Sequence, residues 1–309
     1  MLRKQEPQFA FTLAGISVSI RMQNEQESPN RKGILAMTTF RKSSVIALAA
    51  LLLLPSWAGA SAPQAQQQRG GQQAAAQSRV AVVIDDFGNK MKGTEEMFKL
   101  PVPVTAAVMP FMPTSRQDAE QAHKLGLDVI VHMPMEPNQG KPEWLGPGAI
   151  RASMSDAEVR QAVEKAIAEV PHAVGMNNHM GSKITADERI MRVVLAVCKE
   201  KGLFFLDSRT TFKTVIPRVG AELGVPVLSN DIFLDDVYTA SHVSGQIVKL
   251  RKLAREKNDC ITIGHVGVPG LITSAAVRSA AASMPQSRFV RLTELLPASA
   301  EEKLVLPHA

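Results

Sequence analysis

The feature that most constrains the fold of this chain is a series of six short apolar runs, each of which ends on polar residues. The runs are VAVVI before Asp85 and Asp86, DVIV before His132, AVGM before Asn177 to His179, LFFL before Asp207, VPVL before Ser229 to Asp231 and ITIG before His265. Short apolar runs that alternate with helix-like segments predict buried parallel strands. Ligands bind at the carboxyl ends of the strands in such sheets and barrels, so we expect the polar residues to share one site.

The alternation of strand-like and helix-like segments predicts an α/β fold with a parallel sheet and right-handed crossovers. We favour a closed or nearly closed (β/α) barrel over an open sheet, because the first strand ends in an acid pair and not in a GxGxxG loop. Ser155 and Glu158 predict a capping box, and Thr185 predicts the start of the following helix. The last segment, RFVRLTELL, is compatible with a closing strand or with a final helix.

Asp85 and Asp86 stand side by side directly after the first predicted strand. One aspartate in that position is typical of a turn or a cap, but two are harder to explain in this way. Adjacent residues of a strand point to opposite sides, so the two carboxylates can have different roles. We expect one to bind a metal ion and the other to act as a general base.

Histidines follow three of the predicted strands, at His132, His179 and His265. His132 and His179 are too far apart in sequence to form a local metal motif, and separate structural roles are the alternative. Two histidines and one aspartate would leave an open position in a zinc-type site, which is the catalytic pattern. His265 would serve as a general acid, because the ordinary pKa of histidine is close to working pH.

The remaining polar residues at the strand ends are weaker candidates for a functional role, which would be contact with a substrate. Aspartates there can orient a histidine or bind hydroxyl groups, and asparagines can donate hydrogen bonds. The predicted substrate-binding residues are Glu136, Asn178, Asp207, Arg209 and Asp231. Asp235 and Asp236 belong to the same weaker class, since NDIFLDD is equally compatible with a structural loop network.

Residues 37–62 have the pattern of a secretory signal, with Arg41 and Lys42 before a short apolar stretch and small residues at its end. Cleavage is predicted near Ala60–Ala62. The mature protein would then lie in the periplasm or cell envelope without a stable membrane span, and an uncut anchor is the alternative. Residues 1–36 are interpreted as an extension of the gene model or as a cytoplasmic tail.

The mature chain is predicted to contain one folded domain at residues 79–296, which fits a single α/β barrel. Residues 63–78 are rich in Gln, Ala and Gly and predict a disordered linker, and residues 297–309 form a tail. Cys198 and Cys260 are compatible with a disulfide or with two buried thiols. The net charge of +6 suits a protein beside anionic envelope polymers or lipids. Nucleic-acid binding is not expected, because the sequence contains no basic patch interleaved with aromatic residues.

Taken in order, these segments resemble the divergent polysaccharide deacetylase family, which is related to the NodB-homology carbohydrate esterases. The resemblance rests on IDDFG, HMPMEP, NNHMGS, LDSRT, NDIFLDD and GHVG behind a signal peptide, and it covers about residues 79–296. It implies a distorted (β/α) barrel of the polysaccharide deacetylase type and metal-dependent removal of N-acetyl groups from a glycan. It also implies that Asp85 is the catalytic base, Asp86 and His132 are metal ligands and His265 is the catalytic acid.

The chain departs from the family pattern at two points. The mainstream enzymes carry a second metal histidine four residues after the first, where this chain has Glu136, and Arg209 is at best a loose counterpart of their Arg-Pro-Pro motif. The third ligand is therefore His179 or Glu136, and we prefer His179 because imidazole suits zinc.

The function expected from the sequence is that of an exported deacetylase, dependent on a divalent metal, zinc for preference, and acting on an N-acetylated polysaccharide or peptidoglycan. The main alternative is a non-catalytic glycan-binding or scaffold protein of the envelope that keeps the barrel. A metal hydrolase that acts on another ester or amide is a second alternative.

Overall fold

The structure is a computed structural model, and it describes residues 77–285 and 287–297 together with two short strands near the amino terminus. The predicted signal peptide lies outside the described residues, as do most of the predicted extension, linker and tail. The chain forms two compact units, Met1–Gln68 and Arg69–Ala309. In the first unit, β1 (Thr12–Leu13) and β2 (Ile16–Ser17) pair as antiparallel strands.

The second unit alternates strands with helices. Its strands are β3 (Ser78–Phe87), β4 (Thr105–Val108), β5 (Asp128–Met135), β6 (Ala173–Met180), β7 (Phe204–Asp207), β8 (Val227–Ser229), β9 (Ile232–Phe233), β10 (Asp259–His265) and β11 (Ser287–Val290). Its α-helices are α1 (Thr94–Phe98), α2 (Ser115–Lys124), α3 (Asp156–Glu169), α4 (Glu188–Glu200), α5 (Ile216–Leu223), α6 (Ala240–Glu256) and α7 (Gly270–Ser283). Short 3-10 helices occur at Pro142–Trp144, Ile184–Ala186 and Leu292–Leu295.

The strands of the second unit form one parallel sheet in the order β8-β7-β6-β5-β4-β3-β10-β9, and β11 also pairs with β3. The two ends of this order, β8 and β9, are consecutive in the chain and are joined only by Asn230 and Asp231. The sheet must therefore curl until its ends meet. The predicted distorted (β/α) barrel is confirmed, and the last segment supplies both a strand and a short 3-10 helix.

The interior of the barrel leads directly to the polar residues at its mouth. One hydrophobic cluster packs the outer face of the sheet against the helices, and a second cluster, drawn mainly from the strands, fills the inside. Because side chains alternate along a strand, Asp85 follows Ala81 and Val83 in an inward-facing row, and His265 follows Ile263 in the adjacent row. The core thus ends, at the carboxyl side, on ionisable groups.

Helix starts show which local signals were sufficient. The capping box of Ser155 and Glu158 is present at the start of α3, as predicted. The prediction for Thr185 is wrong, because Thr185 lies in a 3-10 helix and its hydroxyl donates to the Gly181 carbonyl oxygen, so Asp187 caps α4.

Two further findings concern the cysteines and membrane spans. Cys198 and Cys260 are both buried and free, which leaves the two-thiol interpretation. Among the described residues, no helix combines the length and the apolar character that crossing a bilayer requires.

Candidate metal centre and acid–base site

A bulge in β3 brings both acids to one place. The register between β3 and β4 shifts between Ile84 and Phe87, and Asp86 has a left-handed backbone with φ 70°. Asp85 Oδ2 and Asp86 Oδ1 consequently lie 3.6 Å and 3.3 Å from Nε2 of His132. The expectation that the two aspartates would point to opposite sides is wrong, because the bulge rotates Asp86, a residue type that tolerates this conformation.

Asp86, His132 and His179 form a compact cluster at the mouth. His132 Nε2 is 3.3 Å from Asp86 Oδ1, His179 Nδ1 is 3.1 Å from the same oxygen, and the two ring nitrogens are 3.1 Å apart. His132 is almost completely buried, whereas Asp86 and His179 are partly exposed. The cluster is therefore anchored in the barrel and open toward the mouth.

The partners of the two rings determine where their protons lie. Asn177 Nδ2 donates to Asp85 Oδ1 at 2.9 Å, so the oxygen of the same Asn177 amide is left as an acceptor. Asn177 Oδ1 lies 2.8 Å from His132 Nδ1, and that nitrogen must therefore carry the proton. His179 Nε2 lies 3.0 Å from the carbonyl oxygen of Trp144, which can only accept. In the neutral rings, His132 Nε2 and His179 Nδ1 therefore carry lone pairs.

Three lone-pair atoms thus face one another with no proton between them, an arrangement that is repulsive unless a cation joins it. In agreement, Asp86 Oδ1 is buried and accepts no hydrogen bond from the described residues. Three atoms held tetrahedrally at about 2.0–2.1 Å from a zinc ion stand about 3.3 Å apart, close to the separations found here. The residues fit a divalent metal, and the donor set of two imidazoles and one carboxylate suits zinc.

The charge state of the acids differs between the two neighbours. Burial acts to raise the pKa of Asp86, but the imidazoles of His132, His179 and His265, when they are protonated, hold that pKa well below its usual range. Burial raises the pKa of Asp85, although His132 and His265 act in the opposite direction. Asp86 is therefore a permanent carboxylate, while Asp85 is moved toward the range in which a carboxylate is an effective base.

His265 is held by a buried carboxylate that the sequence had placed among the weak candidates. Asp235 is completely buried, and its Oδ1 lies 2.7 Å from His265 Nδ1. Its Oδ2 accepts from the backbone N–H of His265 at 2.8 Å and from the Thr273 hydroxyl at 2.6 Å. Burial alone would lower the pKa of His265, but the bond to Asp235 and the nearby carboxylates of Asp86 and Asp85 raise it to about 9.

Glu136 lies near the mouth but is not free to bind a metal ion. Its Oε1 accepts from the Lys183 ammonium at 2.6 Å and its Oε2 from the backbone N–H of Ala152 at 2.7 Å. These bonds lower its pKa and fix the loop after β5 against the loop after β6. The geometry therefore favours His179 over Glu136 as the third ligand.

The side chains of two predicted substrate-binding residues, Asn178 and Asp207, have structural contacts instead. Asn178 donates to the Met180 carbonyl oxygen, and its Oδ1 accepts from the backbone N–H of Ser208. Leu206 faces the inside of the barrel, so Asp207, the next residue of the strand, faces outward. Its Oδ1 accepts a hydrogen bond from the backbone N–H of Arg209 at 2.8 Å. Arg209 itself is exposed at the mouth.

The carboxylate of Asp231 lies apart from the cluster and has structural contacts. It is paired with Lys257 and accepts the backbone N–H of Ile261. Ile261 precedes His265 by four residues, or roughly 13 Å along a strand. The reason is that β8 is short, so the chain turns down into β9 immediately after Asn230.

Sequence reasoning missed the roles of Asn177 and Asp235. Asn177 was noticed only as one of two adjacent asparagines, and nothing in the sequence shows which of them faces the histidines. Asp235 lies 30 residues before His265, so the pair is visible only once β9 and β10 are known to be neighbours.

Comparison with known proteins gives one family. The model of the family described as divergent polysaccharide deacetylase matches residues 82–296. An uncharacterized protein of Haemophilus influenzae is 37% identical over 211 residues, which cover 68% of this chain and 74% of that protein. The uncharacterized protein YibQ of Escherichia coli is 34% identical over 229 residues, which cover 74% of this chain and 66% of that protein.

A solved structure supports the fold independently. The crystal structure of an uncharacterized protein from Agrobacterium tumefaciens matches with a TM-score of 0.65 at 20% identity, and the match covers 72% of this chain and 90% of that chain.

Proposed function

Because this chain belongs to the divergent polysaccharide deacetylase family, we propose that it is an exported, metal-dependent hydrolase that removes N-acetyl groups from an envelope polysaccharide. One observation carries the proposal. Asp85 and His265 lie beside the cluster of three lone-pair atoms; burial raises the pKa of Asp85, while the carboxylates of Asp235, Asp86 and Asp85 outweigh burial and raise the pKa of His265 to about 9. A base and a protonated acid beside a metal centre are the groups that amide hydrolysis requires.

The metal centre would be formed by Asp86, His132 and His179, with zinc as the preferred ion. A divalent cation held there supplies Lewis-acid polarisation of a carbonyl group and makes water more acidic. Asn177 and the Trp144 carbonyl oxygen fix the two imidazole rings so that the required nitrogen of each faces the cluster.

Asp85 is the proposed general base. Its Oδ2 lies on the cluster side, 3.6 Å from His132 Nε2, while its Oδ1 is occupied by the Asn177 amide. The bond to Asn177 leaves one carboxylate oxygen to take a proton from an attacking water. Its raised pKa increases its basicity relative to an exposed aspartate.

His265 is the proposed general acid. It is opposite Asp85 in the register of β3 and β10, and its Nδ1 is bound by Asp235. The imidazolium can therefore present Nε2–H to the nitrogen that leaves the acetyl group. Asp235, a positioning residue, keeps the ring oriented and protonated, and Thr273 holds Asp235.

The decisive experiment measures acetate released from N-acetylglucosamine oligomers and from peptidoglycan by metal-loaded protein. We expect release by the wild type and by Glu136→Gln, and none by His179→Ala, whose metal content should also be lost. Full metal content in the wild type, no acetate from any N-acetylated glycan and measurable glycan binding would reject the deacetylase in favour of a binding protein.

A further inference from the structure

Large exposed hydrophobic side chains are concentrated at the mouth of the barrel. Of the ten that the described residues contain, seven lie on loops that follow the carboxyl ends of strands. The four most exposed of these are Phe212 (98%), Val268 (75%), Trp144 and Tyr238, on four different loops. Tyr238 is the only tyrosine of the chain, and Trp144 is one of its two tryptophans. Apolar surface gathered in this way marks an interaction surface.

The loop that carries Phe212 is held in place and not merely extended. Asp207 Oδ1 accepts the backbone N–H of Arg209, whose φ is 57°, and the Thr210 hydroxyl donates to the Met180 carbonyl oxygen at 2.8 Å. At the tip, the backbone N–H of Lys213 donates to the Thr211 hydroxyl. The fold therefore presents the Phe212 ring to solvent on a supported turn, where it has no packing partner among the described residues.

Cations accompany the apolar side chains. Arg209 and Lys213 flank Phe212, and Lys90 and Lys92 lie on the loop after β3, and none of the four has a salt bridge to a described residue. The Lys141 ammonium lies 5.5 Å from the centre of the Trp144 ring.

The acids of the same rim are fewer than its cations. Glu136 is paired with Lys183, Asp236 is hydrogen-bonded to His242, and Glu143 has no ion pair with a described residue. The rim is thus an apolar surface with an excess of positive charge.

We propose that this mouth rim, defined by Trp144, Phe212, Tyr238, Val268 and the adjacent cations, docks on the surface of an anionic lipid membrane. Aromatic side chains at the level of the lipid head groups, with lysine and arginine beside them, are the composition of a membrane interface. A sugar-binding platform would account for Trp144 and Tyr238. It would not account for the aliphatic Val268, or for a ring as unsupported as that of Phe212, and both are suited to insertion among acyl chains.

The docking orientation has a consequence for the substrate, and this part rests on the proposed function. The rim surrounds the opening to Asp86, His132 and His179, so a docked barrel would turn its site toward the membrane. The substrate would then be a glycan attached to, or assembled on, a lipid at that surface, and not a freely diffusing polymer.

The test is co-sedimentation of the protein, as recovered from the cell envelope, with vesicles of phosphatidylethanolamine and phosphatidylglycerol. Phe212→Ser should weaken binding by at least about tenfold, and Lys213→Ser by about fivefold. Val248→Ser is the matched control, because Val248 is 62% exposed on α6 and away from the mouth; it should bind as the wild type does. Vesicles of phosphatidylcholine alone, or high salt, should weaken binding by all forms.

Equal binding by the wild type and Phe212→Ser, or no binding by the wild type, would overturn the proposal. Loss of peptidoglycan binding in Phe212→Ser without any vesicle binding by the wild type would identify the rim as a glycan surface instead. Acetate release, measured on the same samples from soluble N-acetylglucosamine oligomers and from the same oligomers coupled to a vesicle lipid, keeps the two proposals separate. Vesicle binding without acetate release from either substrate rejects the enzyme and leaves the docking surface, and acetate release without vesicle binding rejects only the docking surface.

Discussion

At the scale of single residues, the site depends on two side chains that bind neither substrate nor metal. Asn177 fixes the proton of His132 by accepting from its Nδ1, and Asp235 fixes the proton of His265 in the same way. Each acts by selecting which nitrogen of the ring faces the mouth. We therefore expect separate consequences for their loss.

Replacing Asn177 with Ala should weaken zinc binding about 10–100-fold, the usual cost of losing such a supporting hydrogen bond. The measurement is competition with a chelating dye at constant pH. Asn178→Ala is the control, because Asn178 is the neighbouring asparagine on β6 and bonds to loop backbone instead. Equal losses of affinity in the two variants would contradict the assigned role of Asn177.

Replacing Asp235 with Asn should lower the pKa of His265 from about 9 toward or below the ordinary value of about 6.5. The sign follows from the partners: burial disfavours the imidazolium, and the variant lacks the carboxylate that outweighs burial. Because the pKa is raised in the folded state, this stabilisation is present below about pH 6.5 and is lost as the pH rises through about 9. NMR titration of the metal-free protein provides the measurement. Asp236→Asn, which affects the partner of His242, should leave His265 unchanged.

Residue-level prediction from the sequence succeeded where a side chain ends an inward-facing row. Asp85, His132 and His265 converge because parallel strands of similar register bring their ends together, and that rule needs no knowledge of contacts. The rule does not extend to Asp207 and Asp231, whose carboxylates lie away from the cluster. Asp207 lies on the outward-facing side of β7, and Asp231 follows the early end of β8. Neither the side of the strand nor its exact end can be predicted from an apolar run.

At the scale of elements, β6 and β7 can pack closely because one position of β6 is a glycine, which has no side chain. Gly175 of β6 is paired with Phe204 of β7, and a Cβ at position 175 would lie 2.6–2.7 Å from atoms of the phenylalanine ring. The glycine is needed for space, since its backbone is not left-handed.

Gly175→Ala should therefore destabilise the barrel by about 1–3 kcal/mol through overpacking. Gly245→Ala is the matched control: Gly245 lies within α6, a Cβ there would meet no described atom within 4 Å, and alanine should stabilise that helix by about 0.5–1 kcal/mol. Urea denaturation of both variants measures the two free energies. Two changes of the same sign would show that the contact with Phe204 is not decisive.

The start of an element could be predicted from the sequence when it depends on residues that are close together in the chain. The Ser155 capping box is decided within four residues, and the structure has it. The start of α4 was predicted two residues too early, because the 3-10 helix at Ile184–Ala186 takes up Thr185 before the helix begins. The bulge at Asp86 was not predictable at all, since it depends on the register with β4.

At the scale of the whole molecule, the strand–helix alternation was sufficient to predict a barrel. It was not sufficient to predict that β3 pairs with three strands. One edge of β3 pairs with β10, and on the other edge its first half pairs with β11 and its second half with β4. That arrangement arises because β3 is ten residues long and its neighbours on that side are both short.

Export is the molecular-scale expectation that bears most on the proposed substrate. The segment at 37–62 should be cut near Ala60–Ala62, leaving Ser61 or Pro63 as the first residue, with Ser61 preferred. N-terminal sequencing of protein from the envelope fraction is the measurement. An intact Met1 on protein found in the cytoplasm would contradict export and, with it, an envelope polysaccharide as substrate.

The central claim is that Asp85 transfers a proton beside a metal centre that it does not itself form. The most direct test measures metal content and acetate release on one sample of Asp85→Asn. Asp128→Asn is the control, because Asp128 is a similarly buried carboxylate at the amino end of β5, away from the mouth of the barrel. We expect about one divalent ion per chain in all forms and a fall in acetate release of the order of 10²–10⁴-fold in Asp85→Asn alone. Unchanged acetate release by metal-loaded Asp85→Asn would contradict the claim.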